Sequence, residues 1–207
     1  MNNIKAVFFL IKNFFFAFKK LYFDIFYVPF DINQPLPKKS LNYLYDLFSK
    51  LDHLKINYYV TDGTILGIYR DNKLIPHDTD IDIALIDNKK LFNLFCSMIT
   101  SGWIPMRILI KDFHIYQLIF YKDRVVLDFC NWKRKLDKII FLAPEVDGIR
   151  LQDIKYYEPT IYSLNGHNYL SHSKIDEWLE IHYGKDWKIP KSSKGDWRED
   201  TKDIIKN

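Results

Sequence analysis

The sequence predicts an α+β domain in which a mixed β-sheet is flanked by helices. Apolar residues recur at helical spacing over residues 41–55 and 88–100, whereas residues 106–110, 114–121 and 124–129 are β-rich runs separated by short polar turns. The chain has 207 residues, of which 48% are hydrophobic and 27% are charged, so it is long enough to bury one proper core.

Residues 1–30 are predicted to form an N-terminal amphipathic hydrophobic helix. Lys5, Lys12 and Lys19 fall seven apart, so a helix carries them on one side, with large apolar residues over the rest. Because Lys12 interrupts the apolar run, the run is shorter than the roughly twenty residues of a membrane-spanning helix. Two interpretations stay open: residues 4–28 lie in a membrane interface, or the helix packs on the domain or on a second copy.

A proline-rich linker over residues 31–37 (DINQPLP) ends this segment, because proline breaks helices. Residues 38–207 are predicted to be the folded domain with a C-terminal extension. Its first part reads as a helix at 41–55, a strand at 58–60, a helical turn at 65–69, a strand at 80–86 and a helix at 88–100, before the three-stranded meander. The last third has a weaker pattern, with one helix at 173–182 and a charged tail.

Charge and cysteine content exclude several classes of protein. The net charge is +4, but four lysines and one aspartate give the first thirty residues +3, so the remainder carries only +1. No basic stripe interleaved with aromatics and no zinc-finger spacing is present, so we expect no nucleic-acid partner. Cys96 and Cys130 are far apart, which excludes a disulfide scaffold, and both are expected to be small buried side chains. The expected location is the cytoplasm, including peripheral attachment to the cytoplasmic face of a membrane.

The most informative residues are two aspartates in the predicted strand at 80–86. Side chains two apart in a strand share a face, so Asp80 and Asp82 point the same way while the residues between them are aliphatic. Carboxylates this close repel each other, and a divalent cation that prefers oxygen ligands, Mg²⁺ or Mn²⁺, offsets the repulsion. Asp78 continues the row if the strand begins early. The competing interpretation, two acids on a solvent-facing edge strand, fits the aliphatic back face less well.

Two further features fit the same scheme. Asp128 stands alone in the apolar run at 124–129, and a buried carboxylate needs a partner such as the same cation or an arginine. Gly63 and Thr64 follow the short strand at 58–60, and a strand that turns there into a helix offers backbone N–H groups and a hydroxyl to phosphate. Each of these signals is weak by itself and gains meaning beside the paired acids.

The stretch DGTILGIYRDNKLIPHDTDIDIAL resembles the LicD/fukutin-related family of the nucleotidyltransferase superfamily. The usual motif of that family is close to GGTLLGaxRxxxxIPWDxDIDI. Residues 182–190, with their Tyr-Gly and Pro pattern, also resemble that family. The resemblance implies that residues 38–207 are a nucleotidyltransferase-like catalytic domain. The implied activity moves phosphocholine, ribitol-phosphate or glycerol-phosphate from a CDP-linked donor to a hydroxyl of a glycan acceptor, as in lipopolysaccharide or capsule biosynthesis.

The resemblance also implies roles for individual residues. Asp80 and Asp82 hold Mg²⁺, and Asp128 completes the metal site or takes the acceptor proton. Donor phosphate is expected to contact three residues: Gly63, Thr64 and Arg70. For Arg70, a surface salt bridge is the other interpretation.

The sequence departs from the family pattern at two positions. His77 stands where the family usually has tryptophan, and Asp62 replaces a small residue. Beside Asp78, His77 is a candidate ligand or proton carrier, and otherwise a surface histidine in a turn. Two other functions remain possible at this stage: a nucleotidyltransferase that moves a nucleoside monophosphate from an NTP, and a non-catalytic degenerate relative.

Overall fold

A computed structural model describes residues 22–26, 34–86, 89–111, 114–145 and 148–190, which form four helices and ten strands. The helices are α1 (Ser40–His53), α2 (Asp62–Asp71), α3 (Leu91–Thr100) and α4 (Ile175–Tyr183). The strands are β1 (Tyr22–Phe26), β2 (Tyr58–Val60), β3 (Ile81–Ile86), β4 (Ile104–Lys111), β5 (His114–Lys122), β6 (Val125–Lys135), β7 (Lys138–Glu145), β8 (Gly148–Lys155), β9 (Pro159–Leu164) and β10 (His167–His172).

Eight of the described strands form one mixed sheet in the order β1-β4-β5-β6-β3-β2, and β7 and β8 extend it from the far part of β6. Strands β4, β5 and β6 are an antiparallel meander, as their short polar turns predict. Strand β3 then pairs with β6 in parallel, and β2 pairs with β3 antiparallel. Strands β9 and β10 form a separate hairpin, which is tied to β2 because the Ser171 hydroxyl donates to the Val60 carbonyl at 2.9 Å.

Helices cover both faces of the sheet, and the alternation of side chains along each strand decides which face each residue joins. On one face, α1 and α3 pack against apolar residues, as in the contact of Phe95 with Phe120 at 5.7 Å between ring centroids. On the other face, α2 and α4 pack, and Trp178 of α4 lies 5.5 Å from Trp132 of β6. The second face carries the aspartates.

The predicted α+β class is confirmed, and so are the first helix of the domain, the strand at 58–60 and the meander. Three local predictions need correction. The helical turn at 65–69 is the full ten-residue helix α2, which begins at Asp62. The last third contains more than the single helix predicted from its weaker pattern, because β7–β8 and β9–β10 form two hairpins there. Cys96 is exposed, unlike the buried side chain that was expected.

The predicted N-terminal helix is wrong at residues 22–26. These residues form β1, which pairs antiparallel with β4 at the edge of the sheet. Their aromatic and β-branched composition favours an extended strand once such an edge is available. The rest of the helix prediction, over residues 1–21 and 27–30, lies outside the described residues. Among the residues described, no helix combines the length and the apolar character needed to cross a membrane.

Candidate active site

Three aspartates meet on the face covered by α2 and α4. Asp82 on β3 is the register partner of Asp128 on the parallel strand β6, and Asp80 immediately precedes β3. One carboxylate oxygen from each of the three lies within 4.8 Å of the others, and all three side chains are half-buried. The sequence-based expectation that these three residues converge is therefore met in the structure.

Helix α2 fixes the position of Asp82. The backbone N–H of Asp82 donates to the Thr64 hydroxyl oxygen at 2.8 Å, and the hydroxyl itself lies 3.5 Å from the Asp82 carboxylate. The Thr61 N–H, just before α2, donates to the Asp82 carbonyl at 3.3 Å. Thr64 is fully buried, so its hydroxyl serves Asp82. Contact of Thr64 with donor phosphate stays a prediction.

Asp128 has a partner that the sequence did not reveal. The side-chain amide of Gln117 on β5 donates to one carboxylate oxygen of Asp128 at 2.5 Å, and the Cys130 thiol lies 3.7 Å from the other. A glutamine inside the apolar run of β5 was the available signal. Its meaning depends on β5 and β6 being neighbours, with Gln117 opposite Cys130 and close to Asp128.

Asp62 and Asp78 bring two more carboxylates to the same place. Asp62 begins α2 with a left-handed backbone (φ 49°), which aspartate tolerates better than most residues. Gly63 packs directly against Asp78, since a Cβ on this glycine would lie 2.5 Å from the Asp78 carboxylate. One oxygen of Asp78 is buried and has no hydrogen-bond partner in the described part of the chain. Gly63 therefore lies directly against Asp78, and its contact with donor phosphate stays a prediction.

Burial acts on all five carboxyl groups, and repulsion by neighbouring acids adds to it at every one except Asp62. Burial raises the pKa of Asp62 to about 6. For Asp78 and Asp128, burial followed by the charge of Asp80 raises the pKa to about 7. The pKa of Asp80 is also raised, and that of Asp82 lies well above its usual value, in each case mainly through burial. The cluster therefore holds protons or cations more strongly than isolated aspartates do.

The donor set fits a hard divalent cation. Carboxylate oxygens are the preferred ligands of Mg²⁺ and Mn²⁺, and the oxygens of Asp80, Asp82 and Asp128 are close enough to share one ion. The buried, unpartnered oxygen of Asp78 is a second sign that this cluster is built for a positive charge. These three residues can therefore bind a metal ion.

Two predicted residues lie to one side of this cluster. The Arg70 guanidinium donates to the Asp71 carboxylate at 2.8 Å and to the Trp187 carbonyl at 3.2 Å, which matches the salt-bridge interpretation. His77 is exposed, and with Arg70, Lys73 and Pro190 it lines a cavity of about 410 Å³. Their contacts with phosphate, and a ligand or proton-carrying role for His77, stay predictions.

Tyr183, the last residue of α4, is partly buried and packs against the hydrophobic core. Burial raises the pKa of its hydroxyl well above the usual value, and the charges of Asp62 and Asp82 add to this effect. The sequence contained Tyr183 only as part of a Tyr-Gly pattern near the C-terminus, with no chemical role attached.

Comparisons with known proteins identify the domain. Residues 55–193 match the model of the LicD/FKTN/FKRP nucleotidyltransferase domain. Ribitol-5-phosphate transferase FKTN from Macaca fascicularis is 24% identical over 188 residues, which is 82% of this chain and 38% of the relative. This chain therefore spans about two fifths of that relative's length. An antigenic nucleotidyltransferase-like protein from Paracoccidioides brasiliensis has a crystal structure with a TM-score of 0.40 and 16% identity, over 83% of this chain and 76% of the other.

The family match covers about two thirds of the chain and contains every aspartate of the cluster, both strands that carry it and the helix that orients it. The chain belongs to the LicD/FKTN/FKRP family, and residues 55–193 are its nucleotidyltransferase domain.

Proposed function

We propose that this protein transfers a substituted phosphate of the ribitol-phosphate, glycerol-phosphate or phosphocholine type from a CDP-linked donor to a hydroxyl of a glycan acceptor. The observation that carries the proposal is the convergence of Asp80, Asp82 and Asp128, whose ligand oxygens lie within 4.8 Å of one another. Membership of the family and the similarity to a ribitol-5-phosphate transferase support this class of reaction.

Mg²⁺ or Mn²⁺ would be held by Asp80, Asp82 and Asp128. When bound, such an ion neutralises phosphate charge and makes a nearby hydroxyl more acidic. The chain's own contribution is to aim the three carboxylates at one point. Thr64 holds Asp82 from α2, and Gln117 holds Asp128 from β5, so the acids do not depend on a mobile loop for their direction.

Asp128 has two roles open to it in this reaction. Gln117 occupies one of its carboxylate oxygens, which leaves the other for a cation or for the proton of the acceptor hydroxyl. Either role places Asp128 at the reacting atoms, so replacing its carboxylate is expected to stop the reaction.

The test is a screen of CDP-ribitol, CDP-glycerol and CDP-choline with Mg²⁺ or Mn²⁺, in which CMP release is measured. Asp82→Ala should abolish the release, whereas Asp52→Ala, a change at an exposed position of α1, should leave it unchanged. Full activity of Asp82→Ala would overturn the assignment. Pyrophosphate release from an NTP would indicate a nucleotidyltransferase, and failure to bind Mg²⁺ in calorimetry would indicate a non-catalytic relative.

We also propose that the protein works in the cytoplasm, with the segment before β1 in contact with the cytoplasmic face of a membrane. The regular seven-residue spacing of Lys5, Lys12 and Lys19 within an apolar segment supports this contact, because such lysines reach anionic headgroups.

A further inference from the structure

Two large apolar side chains are more exposed than any others in the described part of the chain. Leu136 is 84% exposed in the turn between β6 and β7, and Phe92 is 76% exposed in the first turn of α3. Neither belongs to the hydrophobic core. A single exposed apolar side chain is ordinary, so the meaning of these two depends on where they lie and on what surrounds them.

The strand directions place both side chains at the same end of the sheet. Strands β3 and β6 are parallel, and Ile86 at the end of β3 is the register partner of Trp132. Beyond Trp132, β6 continues to Lys135 and the chain then turns at Leu136, whereas the chain beyond Ile86 leads into α3 and Phe92. Both segments therefore leave the sheet at the carboxyl end of its parallel strands.

The segment that precedes β1 joins the domain at this end as well. Strand β4 is antiparallel to β5, and β5 is antiparallel to β6, so β4 runs in the same direction as β6. Strand β1 begins at Tyr22, whose register partner is Lys111, the last residue of β4. The apolar N-terminal segment with its evenly spaced lysines is therefore attached where Leu136 and Phe92 are exposed.

Basic side chains surround Leu136. The turn over residues 133–138 is exposed throughout, and its four cations are Lys133, Arg134, Lys135 and Lys138. Asp137 is its one acid, so the turn carries +3, and the pairing of Arg134 with Glu158 at 3.4 Å reduces the charge of the group to +2. All residues after the first thirty together carry only +1, so positive charge is concentrated at this turn.

The turn is also held in shape by hydrogen bonds. The Arg134 guanidinium donates to the Leu136 carbonyl at 3.3 Å and lies over the Tyr156 ring, 3.9 Å from its centroid. The Tyr156 N–H donates to the Asp137 carbonyl at 2.7 Å. Leu136 is therefore presented to solvent by an ordered turn.

A second basic group lies beside Phe92. Lys89 and Lys90 immediately precede α3 and are exposed, and α3 itself contains no acidic residue. The Lys90 ammonium donates to the Lys55 carbonyl at 2.9 Å, which brings the exposed Lys55 to the same place. Even with Asp87, which lies just before them in the sequence, these residues carry +2. The positive end of the α3 dipole adds to this charge.

Apolar side chains surrounded by cations match the chemistry of an anionic membrane. The apolar groups enter the headgroup region while the cations meet lipid phosphates. A nucleic acid also offers phosphates to the cations, but it offers no apolar layer to the exposed side chains. We propose that this surface, formed by Leu136, Phe92 and the basic residues beside them, docks the folded domain on an anionic membrane.

Docking in this orientation leaves the acid cluster accessible. Asp82 lies four residues before Ile86 in β3, so its Cα is roughly 13 Å from the end of that strand. A soluble donor can therefore reach the acids while the opposite end of β3 lies at the membrane. The segment before β1 is the main anchor in this arrangement, and the docking surface adds to it because a second contact on an anchored molecule is intramolecular.

Sedimentation of the full-length protein with vesicles tests the docking surface. The vesicles contain phosphatidylglycerol and phosphatidylcholine in equal parts, and vesicles of phosphatidylcholine alone should bind more weakly. Leu136→Ser and Phe92→Ser should each reduce the affinity at least about fivefold, because each removes apolar area from the contact. Replacing both Lys133 and Lys135 by Gln should reduce it at least about tenfold, since each cation near anionic lipid contributes about fivefold.

The matched control is Ile189→Ser. Ile189 is 64% exposed, so the change removes a comparable apolar side chain. It lies next to Pro190, which lines a cavity together with Arg70 and His77, away from the docking surface. The affinity of Ile189→Ser for the vesicles should equal that of the wild type, and thermal unfolding verifies that every variant is folded.

Wild-type affinity in Leu136→Ser and Phe92→Ser would overturn the proposal, even if the lysine variant bound weakly. An equal loss in Ile189→Ser would overturn it too, as would a wild-type dimer that Leu136→Ser abolishes or binding to duplex DNA that is tighter than binding to vesicles. If removal of residues 1–20 leaves sedimentation unchanged, the proposed N-terminal contact fails while the docking surface is still judged by these variants. None of these measurements involves turnover, so they are independent of the proposed reaction.

Discussion

Asp82 and Asp128 stand opposite each other on neighbouring parallel strands, and their side chains emerge on the same face of the sheet. Two carboxylates in this arrangement repel each other, and the protein adds Asp80 to them. The pKa values of all three are raised. Groups that a folded protein keeps at such an electrostatic cost are candidates for function, because stability alone would select against them.

Asp128→Asn should therefore separate stability from activity. The amide keeps the shape of the side chain and removes one charge, so we expect CMP release to fall at least about 100-fold. In EDTA, Tm should rise by about 2–4 °C for each kcal/mol of repulsion that is removed. Asp52→Asn at an exposed position serves as the control. A variant that is both active and no more stable would contradict this account of the cluster.

Thr64→Val should weaken the hold of α2 on Asp82. Valine has nearly the same shape but leaves the Asp82 N–H without its acceptor at a buried position, which costs about 1–3 kcal/mol in the free energy of unfolding. Affinity for Mn²⁺ should fall with it. Thr64→Ser keeps the hydroxyl and should retain most of the affinity in calorimetry. Equal losses in the two variants would show that the Thr64 methyl group matters and its hydroxyl does not.

The effect of Gly63→Ala on the free energy of unfolding should change sign when the Asp78 side chain is removed. Alanine is favoured over glycine in a helix by about 1 kcal/mol, but its Cβ would lie 2.5 Å from the Asp78 carboxylate. We expect the single variant to lose stability or to displace Asp78, and the same change in an Asp78→Ala background to stabilise the protein. Denaturant unfolding of the four proteins gives the coupling energy. A coupling energy near zero would mean that the two residues do not press on each other.

The stability of the metal-free protein should depend on pH through these acids. Asp128 has a pKa of about 7 when folded, against about 4 in the unfolded chain, so the folded state holds more protons between these values. The free energy of unfolding therefore falls as pH rises through this window. His172 and His182 act in the opposite direction, because burial lowers their pKa values.

Comparing Asp128→Asn with the wild type in EDTA separates the contribution of Asp128 to the pH dependence from that of the histidines. The advantage of the variant in Tm should be present at pH 8, where Asp128 is charged, and should disappear near pH 5, where it is protonated. A difference in Tm that is independent of pH would contradict the titration of Asp128. Saturating Mg²⁺ at pH 8 should stabilise the wild type more than the variant.

Removing residues 1–20 should release the protein from membranes and leave its catalysis intact. The deletion stops before β1, because residues 22–26 pair with β4 and their loss would expose a sheet edge. Sedimentation with vesicles that contain anionic lipid measures the binding, and CMP release measures the catalysis. A truncated protein that still sediments would overturn the proposed contact, and substitution of Lys5, Lys12 and Lys19 by Gln then tests whether charge contributes.

The local part of the site could be predicted because it follows from the period of a strand. Asp80 and Asp82 share a face whatever their strand pairs with, so the sequence alone is enough to group them. Asp128 is different, because its place depends on β6 lying beside β3, a parallel pairing between distant parts of the chain. No local pattern encodes such a pairing. Gln117 was missed for the same reason, since its role appears only when β5 and β6 are neighbours.

Other errors arose where tertiary contacts override local preference. The helix was predicted only at 65–69, but α2 begins at Asp62 and includes Gly63, and the Thr64 hydroxyl accepts a hydrogen bond from a neighbouring strand. Residues 22–26 were included in the predicted N-terminal helix because they continue its apolar segment, yet they pair with the edge strand β4. These errors did not affect the prediction of the acids, because that prediction depends on residue type and spacing.

The parallel pairing of β3 with β6 also couples metal binding to folding. Strands β4 and β5 lie between the two in the chain, so Asp82 and Asp128 come together only when β6 docks on β3. Until then the two carboxylates are apart and no chelating face exists. It follows that binding of a cation is coupled to formation of the sheet. A newly made chain gains its catalytic charge cluster and its means of neutralising it in the same event.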